Sequence, residues 1–125
     1  MNSITKIQFS ACYEQAKLVY EEKKSQADAV KFLSDKNGLN KNSAGCYINA
    51  YKCMQNGSCY KKTIKEDATQ YYLENIFHEN GKKALELALQ SLQKHMDYYS
   101  MQGKGNLKSL KEIHDKFKLY LNEGI

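Results

Sequence analysis

The chain has 125 residues, with 19 lysines and no arginine, 14 acids, four cysteines, no proline and no tryptophan, for a formal net charge of +5. That length fits one domain whose core needs no disulfide or metal staple, and no apolar run approaches the ~20 residues of a membrane-spanning helix. The opening MNSITKIQF lacks an apolar secretory core, so the expected setting is a reducing cytoplasm with free thiols and no membrane contact.

Apolar periodicity predicts helices throughout and no strand of any length. Residues 3–22 read as the first helix. Ser3 is the candidate cap; Ile4, Ile7, Ala11, Leu18 and Val19 recur at helical spacing, with Cys12 and Ala16 beside them. Ser25 then caps a second helix, with Asp28 in its first turn and Ala29, Val30 and Leu33 as its apolar face. Asn37-Gly38 stops it, since both residues tolerate a left-handed helix end. The third helix starts at Asn40 or Asn42 and runs to about Gln55, with Ala44, Ile48 and Tyr51 inward and Asn42, Ser43, Asn49 and Lys52 outward. Helices two and three form a possible variant helix-turn-helix, with a turn expected to be longer than the tight form.

Asn56-Gly57 ends the third helix, and residues 58–62 read as a connector or a short extended piece. Thr63 to Glu66 has the pattern of a capping box for helix four, whose apolar residues are Ala68, Tyr72, Leu73, Ile76 and Phe77. Asn80-Gly81 is the next stop. Helix five, about residues 82–99, has the cleanest amphipathic pattern: Leu85, Ala88, Leu89, Leu92, Met96 and Tyr99. Gly103-Lys104-Gly105 breaks it, and Ser109 to Glu112 offers a capping box for helix six, with Leu110, Ile113, Phe117, Tyr120 and Leu121 inward. The expected fold is therefore all-α: a single compact domain of about six helices over residues 1–125.

The charge is not spread evenly. Residues 38–65 hold Lys41, Lys52, Lys61, Lys62 and Lys65 and no acid; taking these five from the 19 lysines leaves 14 against 14 acids. Tyr47, Tyr51 and Tyr60 interleave with these lysines, as do Asn40, Asn42, Asn49 and Asn56. Lysines that hold phosphate, amides that read base edges and rings that stack make up a nucleic-acid footprint. A solvated loop and helix that happen to lack acids is the plainer reading. The absence of arginine removes the usual bidentate reader of guanine.

Other chemistry finds little support. Cys12, Cys46, Cys53 and Cys59 form no CxxC and have no histidine close in sequence, so no zinc site is expected. His78, His95 and His114 each stand alone on a predicted helix, and His95, beside Met96, reads as a satisfied, partly buried residue. No HExxH, glycine-rich phosphate loop or nucleophile elbow occurs, so neither catalytic residues nor a cofactor are expected. In Tyr71-Tyr72 and Tyr98-Tyr99 one ring of each pair is expected in the core and the other on its rim.

Several stretches together resemble a known module. They are Asn40-Lys-Asn-Ser-Ala-Gly-Cys-Tyr-Ile-Asn49, Met54-Gln-Asn-Gly-Ser-Cys-Tyr-Lys-Lys-Thr-Ile64, Ala68-Thr-Gln-Tyr-Tyr-Leu-Glu-Asn-Ile76, His95-Met-Asp-Tyr-Tyr99 and Leu107-Lys-Ser-Leu110. In order and spacing they resemble the helical N-terminal module that precedes the HNH domain of bacterial restriction-type HNH endonucleases. Lys62 stands where that pattern has arginine, Cys46 and Cys59 stand where polar or charged residues are usual, and the sequence reaches Ile125 with no HNH constellation. The resemblance implies the recognition half of such an enzyme without its cleaving half, and a setting in restriction-modification or phage defence.

The leading expectation is therefore a DNA-binding, non-enzymatic module. It would contact duplex DNA through Asn40, Lys41, Asn42, Ser43, Asn49, Lys52, Tyr60, Lys61, Lys62 and Lys65. The alternative is a protein-interaction module, such as a phage- or mobile-element-encoded inhibitor or regulator of a nuclease or another defence protein.

Overall fold

The computed structural model describes residues 4–101 and 107–122. All regular elements among them are helices: α1 (Lys6–Tyr20), α2 (Gln26–Asn37), α3 (Lys41–Asn56), α4 (Glu66–Met101) and α5 (Lys108–Asn122). The all-α expectation holds with five helices rather than six. The expected fourth and fifth helices run as α4, kinked at Gly81, whose φ of 89° and ψ of −173° are non-helical. Glycine accepts that φ without steric cost, so the chain leaves the helix for one residue and resumes without a loop. By contact the chain divides into two compact units, Met1–Lys52 and Cys53–Ile125.

In the first unit α1 packs against α2. Ser3, the expected cap of α1, lies outside the described residues. Thr5 takes that role: its Oγ1 accepts from the Gln8 amide at 3.1 Å, and Gln8 Oε1 accepts from the Thr5 amide at 2.9 Å. This reciprocal box satisfies two of the helix's orphan donors and sets its start at Lys6. The buried face of α1 is Phe9, Cys12, Tyr13 and Ala16, not the Ile4/Ile7 row; Ile7 is 76% exposed. Two aromatic rings remove more apolar surface from water than the isoleucine row could, and Tyr13 meets Tyr51 edge-on at 5.2 Å.

At α2 the expected signals hold. Ser25 Oγ accepts from the Asp28 amide at 3.1 Å, Ala29 and Leu33 are buried, and Gly38 is left-handed at φ 67°. Gln8 Nε2 donates to the Asn37 carbonyl at 2.8 Å, tying the start of α1 to the end of α2. The turn from α2 to α3 is shorter than expected. Only residues 38–40 separate Asn37 from Lys41, the length of a helix-turn-helix turn. On α3, Ala44, Tyr47, Ile48, Ala50 and Tyr51 are buried.

In the second unit α4 packs against α5. The last turn of α3 ends at Gly57, left-handed at φ 70°, where a Cβ would come within 3.1 Å of Leu87 Cδ2. The positive φ favours glycine there, and any side chain would press on Leu87 as well. Residues 58–65 form a connector whose backbone is served by side chains of α4. Ser91 Oγ donates to the Ser58 carbonyl, Lys94 Nζ to the Gly57 carbonyl at 2.8 Å, and His95 Nδ1 to the Tyr60 carbonyl at 2.6 Å. Positions 91, 94 and 95 share one helix face, which is how an irregular segment has its buried carbonyls satisfied.

Two expected capping boxes do not form. Thr69 N bonds the Lys65 carbonyl at 2.9 Å, so Lys65 is the cap of α4, and Thr63 Oγ1 turns to the Ile64 carbonyl at 3.4 Å. Likewise Lys111 N bonds the Leu107 carbonyl at 2.9 Å, which puts Ser109 inside α5. In each case the third residue of the helix, Ala68 or Leu110, is the first of that helix to be buried. The break expected at residues 103–105 lies outside the described residues. Leu73, Ile76, Leu85, Ala88, Leu92 and Phe117 are fully buried. Tyr72 is buried while Tyr71 is half-buried, as the core-and-rim reading of that pair expects; Tyr98 and Tyr99 are both half-buried.

Candidate nucleic-acid interface

The expected site residues fall in both units. Those on α3 belong to the first. Asn40 is the cap of α3: its Oδ1 accepts from the Asn42 amide at 2.8 Å and the Ser43 amide at 3.3 Å. That oxygen is committed to the helix, which leaves Asn40 its amide N–H₂ as the polar group for a partner. Beyond the cap, Lys41, Asn42, Ser43 and Asn49 are exposed. Helical geometry of ~100° per residue places Lys41, Asn42, Asn49 and Lys52 on one side and turns Ser43 away from them. The side chains of Asn42, Ser43 and Asn49 bond no other described residue.

Lys52 is half-buried and donates from Nζ to Gln26 Oε1 at 3.1 Å, so it stands as a point charge where α2 begins. The first turn of α3 contains no acid. One acid does come near. The Asp35 carboxylate is held below its usual range chiefly by its bond to Lys31 at 2.7 Å, with Lys41 and Lys36 adding to the effect. Lys41 therefore acts beside one carboxylate rather than in a field of pure positive charge.

In the second unit the connector exposes Lys61, Lys62 and Lys65. Lys61 Nζ sits 5.5 Å from the centre of the Tyr98 ring, a cation–π contact that holds its stem. Lys65 is followed at once by exposed Glu66 and Asp67 in the first turn of α4. Those carboxylates suit a helix start and set a negative edge beside the connector's lysines.

Tyr60 is a correction. It was expected among the contact residues, but it is 1% exposed and its ring stacks on His95 at 4.3 Å with the planes 7° apart. Burial pushes its hydroxyl far above the usual tyrosine range. Tyr47 and Tyr51 are buried as well. The tyrosines that interleave with lysines in sequence belong to the core, and none of the three offers a face for base stacking. For Tyr47 and Tyr51 the signal was in the sequence: with Ala44 and Ile48 they recur at helical period. Tyr60, outside any helix, had no such signal.

His95 is fully buried rather than partly so. Because a carbonyl only accepts, Nδ1 carries the proton and Nε2 is the bare nitrogen. That Nε2 and the Tyr60 hydroxyl are buried and find no partner among the described residues. Burial lowers the pKa of His95, and the bond to the Tyr60 carbonyl opposes the shift only in part. Cys12 is buried, with its thiol pushed up to about 12; Cys46, Cys53 and Cys59 are half-buried. Among the described residues no three His, Cys, Asp or Glu side chains gather as metal ligands, and no helix is long and apolar enough to cross a membrane.

One position on α3 escaped the sequence reading. Gly45 lies inside the helix, one turn beyond Lys41 and one turn before Asn49. A Cβ built on it meets nothing within 4 Å. A glycine in a helix interior costs ~0.5–1 kcal/mol relative to alanine, and here neither a positive φ nor a crowded neighbour requires it. The signal available was the glycine itself, unusual between two apolar-periodic residues.

No protein-family model matches the chain, no curated protein matches its sequence, and no solved structure matches its fold.

Proposed function

We propose that the protein binds duplex DNA, with α3 as its reading helix and the lysines of residues 38–65 on phosphate. The observation that carries this reading is the outward face of α3. Lys41, Asn42, Asn49 and Lys52 share one side of a helix that holds no Asp or Glu, and the two asparagine side chains have no partner among the described residues. Asparagine can pair two-fold with adenine in the major groove. The three-residue turn from α2, with left-handed Gly38, supports a helix-turn-helix variant.

The resemblance to the helical module of restriction-type HNH endonucleases points the same way. On this reading the chain is a recognition module without a catalytic step of its own. It acts in the cytoplasm, in restriction-modification or phage defence.

The test is a salt titration by fluorescence anisotropy on labelled duplexes. If Lys41, Lys52, Lys61, Lys62 and Lys65 all engage, log K falls against log salt with a slope of up to about −4.5, from roughly 0.9 per phosphate. Asn49→Ala costs about 1–3 kcal/mol at a preferred site and little elsewhere. No binding at low salt ends the hypothesis.

A second reading, a protein-interaction module that regulates a nuclease or other defence protein, draws on the first unit's exposed apolar residues. Ile7 is 76% exposed and Phe32 39% exposed. It takes over if duplex DNA fails to bind.

A further inference from the structure

Among the described residues the glycines have identifiable reasons, with one exception. Gly38, Gly57 and Gly81 all have positive φ, and Gly57 is also crowded by Leu87. Gly45 has neither reason: its φ is not positive, and the space where a side chain would start is empty. A glycine in an unstrained helix interior weakens the helix through backbone entropy, and nothing among the described residues accounts for it. What remains is an approach from outside. A residue without Cβ lets another molecule come closer to the helix axis than any other residue would.

The surroundings of Gly45 say what approaches. One turn towards the N-terminus stand Lys41 and Asn42; one and two turns the other way stand Asn49 and Lys52. α3 itself holds no acid, Asp35 of α2 being the one carboxylate near Lys41, and the amide side chains of Asn42 and Asn49 have no partner among the described residues. Its charge complements a polyanion, and its amides complement base edges.

We propose that Gly45 is the seat of closest approach between α3 and duplex DNA, and that its missing side chain lets α3 enter the major groove deeply enough for Asn42 and Asn49 to reach bases. This rests on the DNA-binding reading above. It assigns Gly45 a positioning role for specificity: the glycine contributes no contact of its own and sets the depth at which its neighbours make theirs.

The experiment compares wild type, Gly45→Ala, Gly45→Leu and Lys41→Ala. Fluorescence anisotropy uses a pool of random-core duplexes and the duplexes enriched from it, and a thermal melt is run on each protein. Gly45→Ala is expected to melt at a higher temperature than wild type, since alanine strengthens a helix that has room for it. It is also expected to bind enriched duplexes about tenfold more weakly, the equivalent of one lost base contact. Its binding to the unenriched pool changes little, because the lysines remain. Gly45→Leu widens the loss on enriched duplexes. Lys41→Ala weakens both sets and flattens the salt slope by roughly 1.

If wild type binds duplexes and Gly45→Ala binds the enriched set equally well, the inference about Gly45 falls while the DNA-binding reading stands. A Gly45→Ala protein that melts below wild type also overturns it, because the glycine then serves the fold. If wild type binds no duplex at low salt, the DNA-binding reading falls and takes the inference with it.

Discussion

Tyr60 offers the sharpest test of how residues 38–65 are organised. A tyrosine among lysines that stacked on bases would be exposed, and its loss would leave stability within ~0.5 kcal/mol. Here the ring is 1% exposed, lies 4.3 Å from the His95 ring, and pins the connector through its carbonyl to His95 Nδ1. Tyr60→Ala removes a fully buried aromatic ring, which costs ~3–5 kcal/mol in comparable cores. Tyr60→Phe keeps the ring and removes only a hydroxyl that has no partner among the described residues. Leaving a buried polar group unmade costs ~1–3 kcal/mol, so the phenylalanine variant is expected to equal or exceed wild type. The assay is urea unfolding followed by helical circular dichroism. With slopes of ~1–3 kcal/mol per molar urea, the alanine variant's midpoint falls by about 1 M or more. DNA affinity of Tyr60→Phe should match wild type. A Tyr60→Ala midpoint unchanged within error would refute the burial, and a Tyr60→Phe protein that keeps its stability and loses DNA binding would restore the tyrosine to the interface.

Leu92 is fully buried in the second unit, and Leu92→Ala should cost ~2–5 kcal/mol in the same melt; a loss under ~0.5 kcal/mol would mean that α4 buries another face. Acid should loosen the same unit. The folded pKa of His95 is lowered from the ordinary 6.5, so the unfolded chain takes up a proton first as pH falls. The stability that His95 contributes is complete above 6.5 and is lost progressively below it. Melts between about pH 8 and pH 5 check this, and His95→Gln should flatten the acid limb. On the connector, changing Lys61 and Lys62 together to Ala should weaken all duplexes alike and reduce the salt slope by about 2; a slope left intact would move the phosphate contacts elsewhere.

Much of this molecule is a consequence of local chemistry, and that part was legible. The cap at Ser25, a start of α3 at Asn40 or Asn42 that the structure resolves to an Asn40 cap, the left-handed stops at Gly38 and Gly57, and the apolar rows of α3 and α4 depend on residues within a turn or two of each other. Periodicity and side-chain geometry suffice for such features. The outward placement of Asn42, Ser43 and Asn49 followed from the inward placement of Ala44, Ile48 and Tyr51, while Lys52, expected outward with them, is half-buried. The sequence alone thus determined an all-helical chain and one exposed, acid-free helix face. What it left open needed distance. Which side of α1 is buried was decided by Tyr51, whose ring receives Tyr13 from 38 positions away. Tyr60 lies outside any helix, so no period marked it as buried. Ser91, Lys94 and His95 draw in the connector from a helix more than thirty residues on. The same applies to the two capping boxes that never formed: pattern permits a cap, but the helices begin at Glu66 and Lys108 instead. Burial is settled by the competition of apolar surfaces within each unit, and that competition takes place in three dimensions.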